Sequence, residues 1–258
     1  RPPTQVQTLR IVSSEFQSRS SNRINNRGAV LFSDDFESDT VKKPPAKWTL
    51  SSNNMTGASI TTAVNPSNSN KKFMRLDMVA GATTPNKYAV SSPTYGSGST
   101  TEKVSYHFDF CVDTFASDSG KYAAFGVFAY SDVAYNAYVY VSRKTDDTGS
   151  IKVWGPRLES SVVISDGGLS QKTWYHVDMV LDPVAHTYQT TVTDRATGKE
   201  IGSASIEFIS SKWSETDQHL SISSPSSGLS THSSFDNVMI HTGDMPEQST
   251  MSQTTQRP

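Results

Sequence analysis

From Val104 to Asp113 the chain alternates without a break. Val104, Tyr106, Phe108, Phe110 and Val112 fall on one parity, and Ser105, His107, Asp109, Cys111 and Asp113 on the other. Successive side chains of a strand point to opposite faces, so this stretch reads as a strand with one face for a core and one for polar work. The same period of two returns along most of the chain, between clusters of Gly, Pro, Asn, Asp and Ser. It predicts strands over 29–36, 58–64, 73–79, 87–92, 102–113, 121–130, 135–143, 150–154, 173–182, 186–194, 201–208, 219–224 and 233–241. The 182–187 region, with Asp182-Pro183, reads as a hairpin turn. No long segment has helical period; one helical turn is expected over 208–215. Parallel sheets need helical crossovers of about a dozen residues or more, and these are missing. There is no internal repeat and no Cys…Trp…Cys pattern of an immunoglobulin domain. The expected fold is therefore all-β, a single antiparallel two-sheet β-sandwich of the jelly-roll type.

Composition sets the boundaries. Residues 1–28 and 243–258 are polar and offer little to bury, so they read as flexible tails around a domain over 29–242. Hydrophobic residues are 34% and charged residues 19% of the 258, leaving a surface rich in Ser, Thr, Asn and Gly. With a net charge of −2 and no basic stripe, nucleic acid is not an expected partner. No apolar run approaches the roughly 20 residues that span a bilayer. Cys111 is the one cysteine, which rules out an internal disulfide and leaves an inert buried thiol. The hydroxyl-rich composition, with an Asn54-Met55-Thr56 sequon, points to a secreted or extracellular protein.

Three segments carry a resemblance. LFSDDFESD from Leu31, KTWYHVDMVLDPVAHTYQTTVTD from Lys172 and SSFDNVMI from Ser233 together resemble the concanavalin A-like lectin/glucanase jelly rolls, laminin-G-like modules included. The resemblance spans Leu31 to Ile240. It implies a sandwich that serves as lectin, carbohydrate-binding module, glycoside hydrolase or polysaccharide lyase, and fold does not choose among them.

Strand parity supplies candidates for a binding face. With the apolar parity turned inward, the outward residues are His107, Asp109, Tyr122, Tyr130, Asn136, Tyr138, Tyr140, Lys152, Trp154, His176 and Asp178, and Arg157 follows in a turn. Sugars lay their C–H patches on aromatic rings and bond their hydroxyls to Asn, Asp, His and Tyr tips. The ligand-binding set expected on one shared face is His107, Asp109, Asn136, Tyr138, Tyr140, Lys152, Trp154 and Arg157. The first reading is thus binding of an extracellular polysaccharide or glycan.

The second reading is a polysaccharide lyase that cleaves a uronic-acid polymer by β-elimination. Its base would be a Tyr or His among His107, Tyr138, Tyr140 and His176, helped by a cation or amide that steadies the carboxylate. The family resemblance implies for such a lyase an Arg-Thr-Glu-x-Arg strand and a Gln-x-His strand; VSYHFDF and AAFGVFAY have neither. Nor is there the Glu-x-Asp-x-x-Glu run that the resemblance implies for a hydrolase. A third reading is an adhesion or assembly module that meets partner chains through its tails. The resemblance also implies a structural calcium where the first and last strands meet, with Asp34, Asp35 and Asp236 as ligands and Glu37 nearby. The six histidines are scattered along the chain and have no zinc-ligand spacing.

Overall fold

The computed structural model describes residues 28–51, 56–65, 68–83, 89–115, 123–157, 160–223 and 231–244. The expected tails and Tyr122 lie outside these residues, apart from Gly28, Gly243 and Asp244. Among the described residues there is no α-helix, and the strands form two antiparallel sheets.

The eight-stranded sheet contains β1 (Val30–Asp34), β3 (Thr56–Asn65), β4 (Asn68–Thr83), β6 (Val104–Thr114), β11 (Trp174–Asp182), β12 (Thr187–Asp194), β13 (Glu200–Glu207) and β15 (Thr231–Thr242). Its order is β13-β12-β11-β6-β15-β4-β3, with β1 also paired to β15. The seven-stranded sheet contains β2 (Thr49–Leu50), β5 (Ala89–Ser91), β7 (Ala123–Ser131), β8 (Ala134–Arg143), β9 (Thr148–Val153), β10 (Val162–Ser170) and β14 (Gln218–Ser223), in the order β10-β9-β8-β7-β14-β5-β2.

Each expected strand has a counterpart, and the structure adds β2 and β10. Strand β10 was invisible to periodicity because its burial is irregular and its pairing with β9 shifts twice. The expected turn of helix at 208–215 is instead an irregular loop. Asn136 explains this: its amide donates to the carbonyls of Ser210 (2.7 Å) and Lys212 (2.6 Å) and holds that segment open.

The core lies between the sheets. Phe108, Phe110, Val177, Met179 and Phe235 from one sheet meet Phe125, Val127, Val139, Val141, Ile151 and Ile222 from the other. Phe125 makes the join, edge-on to Phe110 (5.2 Å) and to Phe235 (4.8 Å). Each such buried side chain is worth about 1.5–3 kcal/mol. Polar ties also cross the sandwich, among them Tyr95 to Tyr106 (2.9 Å) and the Ser170 N–H to the Tyr175 hydroxyl (2.7 Å). Tyr188 of β12 is 1% exposed, and its hydroxyl accepts from the Trp154 N–H (3.1 Å) and donates to the Trp154 carbonyl (2.5 Å). Burial pushes that phenol well above its ordinary pKa, against the pull of the Tyr138 and Trp154 backbone.

Candidate functional site

Parity predicts the inward and outward sides of each strand, and here it divides the candidates between two surfaces. Strand β6 pairs with β11 and β15, whereas β8 pairs with β7 and β9. His107, Asp109, His176 and Asp178 thus lie on the outer face of the eight-stranded sheet. Tyr138, Tyr140, Lys152 and Trp154 lie on the outer face of the seven-stranded sheet. The single shared face expected from the sequence is therefore corrected to two faces on opposite sides of the core. Alternation fixes which side of its own sheet a residue occupies, but not which sheet its strand joins.

The seven-stranded face is a second aromatic layer, separate from the core. Phe128 stacks on Tyr138 at 4.1 Å, and Tyr138 on Trp154 at 6.1 Å. Tyr140 stands edge-on to both Tyr138 (5.9 Å) and Trp154 (6.5 Å). Tyr135 meets Phe128 at 5.2 Å, and Tyr130 stacks on His219 at 4.5 Å. The Lys152 ammonium lies 4.4 Å from the Trp154 ring and 5.2 Å from that of Tyr140, within cation–π range. Tyr130, Tyr135, Tyr138, Tyr140 and Trp154 are all partly exposed. Gly126 makes room for the row, because a Cβ there would come within 2.6 Å of the Tyr138 ring. Among the described residues the Trp154 indole N–H has no acceptor. Burial raises the phenols of Tyr138 and Tyr140, that of Tyr138 well above the ordinary tyrosine range.

Two expected contact residues are not part of this row. Asn136 is 1% exposed and its amide is committed to the 210–212 loop, because a bulge between β7 and β8 turns it out of the alternation. Arg157 lies on the exposed turn after β9, where its backbone is held by Ser160.

On the eight-stranded face the register puts His107 opposite Asp178 and Asp109 opposite His176. A continuous chain of contacts results. His241 Nε2 lies 2.7 Å from His107 Nε2, and His107 Nδ1 contacts Asp178 Oδ1. The same oxygen is 3.0 Å from His176 Nε2, and His176 Nδ1 is 2.6 Å from Asp109 Oδ1. Asp109, 3% exposed, also accepts from the Asn237 amide (2.8 Å) and pairs with Arg195 (3.3 Å). Arg195 lies over the Trp174 ring at 5.5 Å and reaches Asp236 at 4.0 Å.

These contacts set the charges. The hydrogen bonds to Asp109 and Asp178 outweigh burial and raise His176 to about 9, so it is an imidazolium at neutral pH. Burial opposes ionisation of Asp178, but the hydrogen bonds from His107 and His176 overcome it and hold the carboxyl well below its usual range. His241 is lowered by burial, and its neighbour His107 adds to the effect. Burial raises Asp236 to about 7 despite the Asn237 N–H and Arg195. Along the same face, Arg75 joins Asp77 (2.8 Å) to Asp113 (2.5 Å), and His232 meets Asp77 at 2.6 Å. Cys111 beside them is 4% exposed, and burial pushes its thiol up to about 12, as an inert thiol requires.

The chain of contacts borders a cleft of about 770 Å³, lined by His107, Asp109, His176, Thr193, Arg195 and Asn237 among others. A bulge shapes its wall. From Asp236 to Met239 strand β15 advances three positions while β6 advances two, from Asp109 to His107, and Asn237 takes a positive φ of 49°. Asparagine tolerates that conformation better than most residues. His241, Arg195 and Asn237 are the residues that sequence reading missed. Past the bulge, His241 returns to the outward parity, and Arg195 sits in the turn after β12.

The expected calcium ligands divide, with Asp35, Glu37 and Asp236 bordering one cleft and Asp34 committed to protein partners. Asp34 is 3% exposed and accepts from the Trp48 indole (2.8 Å) and the Phe36 N–H (3.0 Å), with the Lys47 ammonium at 3.4 Å. Asp35 is exposed and caps Glu37. Asp236 faces Arg195. Among the described residues, no group of three or more His, Cys or carboxylate side chains that could hold a metal includes Asp34, Asp35 or Asp236.

No protein-family model matches the chain, and no curated protein matches it. Solved structures do. The CBM2 module of the evolved Dit of Lactobacillus casei phage J-1 superposes with a TM-score of 0.54 at 10% identity, over 85% of this chain and 98% of that one. What the two share is the two-sheet antiparallel β-sandwich, and solved lectins share it as well. Lectin II from Ulex europaeus gives 0.53 at 7% identity over 84% of this chain and 100% of its own. Peanut lectin gives 0.52 at 11% over 83% and 97%. Identities this low carry the fold and leave the site to be argued from the residues. Among the described residues, no helix is long and apolar enough to cross a membrane.

Proposed function

We propose that the protein binds a carbohydrate polymer on the outer face of its seven-stranded sheet, through Tyr138, Tyr140, Trp154 and Lys152, in an extracellular setting. One observation carries this reading. The face holds a partly exposed row of aromatic rings that the core does not need, since Phe125, Val127, Val139, Val141, Ile151 and Val153 already fill the inner side. An exposed patch of this kind marks a binding surface. Rings with polar tips suit sugars, whose apolar faces stack while their hydroxyls bond. Structures of the same fold include a CBM2 module and a lectin solved with galactose, which supports the reading at the level of fold.

The elimination reading fares less well. It asks for a Tyr or His base beside a cation or amide, and its candidates are divided, with Tyr138 and Tyr140 across the sandwich from His107 and His176. Burial also moves the Tyr138 phenol upward, away from what a general base needs.

Retention on a panel of immobilised glycans tests the proposal. Wild-type protein should be held by at least one glycan, Trp154→Ala should lose at least about ten-fold in affinity, and Arg195→Ala in the opposite cleft should bind as wild type. Loss of binding in Arg195→Ala with Trp154→Ala unaffected would move the site to the other sheet. Release of product absorbing in the near ultraviolet from a uronic-acid polymer would instead mark an enzyme.

A further inference from the structure

The cleft on the eight-stranded sheet holds a donor set that neither the sequence nor the fold resemblance pointed to. A ring nitrogen each of His107 and His176 and a carboxylate oxygen of Asp178 all lie within 4.8 Å of one another, and the nitrogens that face Asp178 are His107 Nδ1 and His176 Nε2. We propose that these three atoms bind a divalent transition-metal cation of the zinc type, with the cleft side of the cation left open for a water or ligand.

The donor chemistry comes first. Two imidazoles and one carboxylate suit zinc and its first-row neighbours, whereas calcium and magnesium take oxygen. Reach is short. Two ligands at about 2.1 Å from a tetrahedral zinc stand roughly 3.4 Å apart. Asp178, with 39% of its side chain exposed, has room to adjust its carboxylate toward that spacing. The strand register does the rest, because β6 and β11 are fully paired through this region and hold both imidazoles at fixed positions.

The outer contacts make the stronger argument. A metal-bound histidine characteristically gives its other ring N–H to a carboxylate or another acceptor, which fixes the tautomer and the ring angle. His176 has this arrangement: its Nδ1 lies 2.6 Å from Asp109, itself nearly fully buried and held by Asn237 and Arg195. His107 has it too. Its Nε2 lies 2.7 Å from Nε2 of His241, which is 2% exposed and whose Nδ1 reaches the Thr242 carbonyl at 3.3 Å. One tautomer assignment satisfies every ring nitrogen. Nε2–H of His107 donates to His241, Nδ1–H of His241 donates to Thr242, and Nδ1–H of His176 donates to Asp109. His107 Nδ1 and His176 Nε2 are then both directed at Asp178, and the cation takes the place of the protons these nitrogens otherwise share with that carboxylate.

The other three histidines are engaged elsewhere. His232 pairs with Asp77, His219 stacks on Tyr130 and His186 packs against Phe208. His232 beside Asp77 provides an internal control, being a surface His–Asp pair that lacks a second imidazole.

The test uses the full chain stripped with a chelator and titrated with Zn²⁺ by calorimetry, with Co²⁺ as a spectroscopic probe of imidazole ligation. One equivalent should bind, Ca²⁺ should not compete, and His232→Ala should bind as wild type. His176→Ala and Asp178→Asn should each lose the tight equivalent. Asp109→Asn, which touches no metal, should weaken binding by about 10–100-fold. Asp178 is partly exposed and Asn matches its shape, so Asp178→Asn keeps the test decisive even where loss of His176 harms folding, and circular dichroism checks each variant. Absence of Zn²⁺ uptake by the stripped wild type would overturn the proposal, as would uptake unchanged in Asp178→Asn.

Discussion

The two outer faces of this sandwich are built by one rule and stabilised by different forces. On both, a core strand alternates, and its outward parity is left to be covered. The seven-stranded face answers with uncharged rings. Phe128, Tyr138 and Trp154 cover one another by stacking, and no partner is left with an unbalanced charge. The eight-stranded face answers with ions. Asp109 is nearly fully buried, and it is tolerated because His176, Arg195 and Asn237 all address it. Removing a ring should therefore cost contact area, whereas removing one ion should strand another. A ligand also meets them differently: the ring row has open area to offer, and the ionic chain has a position for a cation.

The largest effect expected from this contrast is on the ionic side. His176→Ala leaves Asp109 with Arg195 and Asn237 and should destabilise the protein by about 3 kcal/mol, read as a lower midpoint in chemical denaturation. A loss no greater than that of Tyr138→Ala would break the contrast. Next comes a bond that joins the two halves. Tyr188→Phe removes the hydroxyl that serves the backbone of Trp154 from the opposite sheet, and should cost about 2 kcal/mol while loosening the aromatic row. Unchanged stability would show that water replaces the hydroxyl.

The pH response sharpens the ionic side further. Burial raises the Asp236 carboxyl from its ordinary 3.8 to about 7, so the folded protein keeps a proton that the unfolded chain releases. Stability from this group is complete below about pH 4 and is lost as pH rises through 7. Asp236→Asn, neutral at every pH, should be more stable than wild type by about 1–2 kcal/mol at pH 8 and nearly equal at pH 4. Parallel stability curves from pH 4 to 8 would contradict the assignment. The smallest effect belongs to the ring face. Gly126→Ala pushes a methyl into the Tyr138 ring and should cost about 1 kcal/mol, with glycan binding weakened more than stability.

The two faces also differ in how well the sequence announced them. Alternation gave the inner and outer residues of β6, β8, β9 and β11 correctly, and with them both the core and the chemistry available outside it. It joined the two outer sets into one because nothing local to His107 or Tyr138 says that β6 runs beside β11 while β8 runs beside β7. Asn136 was placed with the ring row because a bulge is one residue of extra count, invisible to a strict period. The His107–His176–Asp178 group was missed for a related reason. Metal-ligand spacing along a chain finds sites made by one turn or hairpin, and here the imidazoles come from strands that are neighbours in space and distant in sequence. Arg195 and Asn237 reach the cleft from a turn and a bulge, where periodicity gives no direction.

The central claim is that sugar meets the rings and not the ions. The most direct measurement maps backbone amide shifts in isotope-labelled protein as a soluble oligosaccharide from the best-retained glycan is added. The account predicts perturbations concentrated in β7, β8 and β9 around Phe128, Tyr138, Tyr140, Lys152 and Trp154, with His107, His176 and Arg195 unmoved. Perturbations centred on Thr193, Arg195 and Asn237, with the ring row silent, would contradict it.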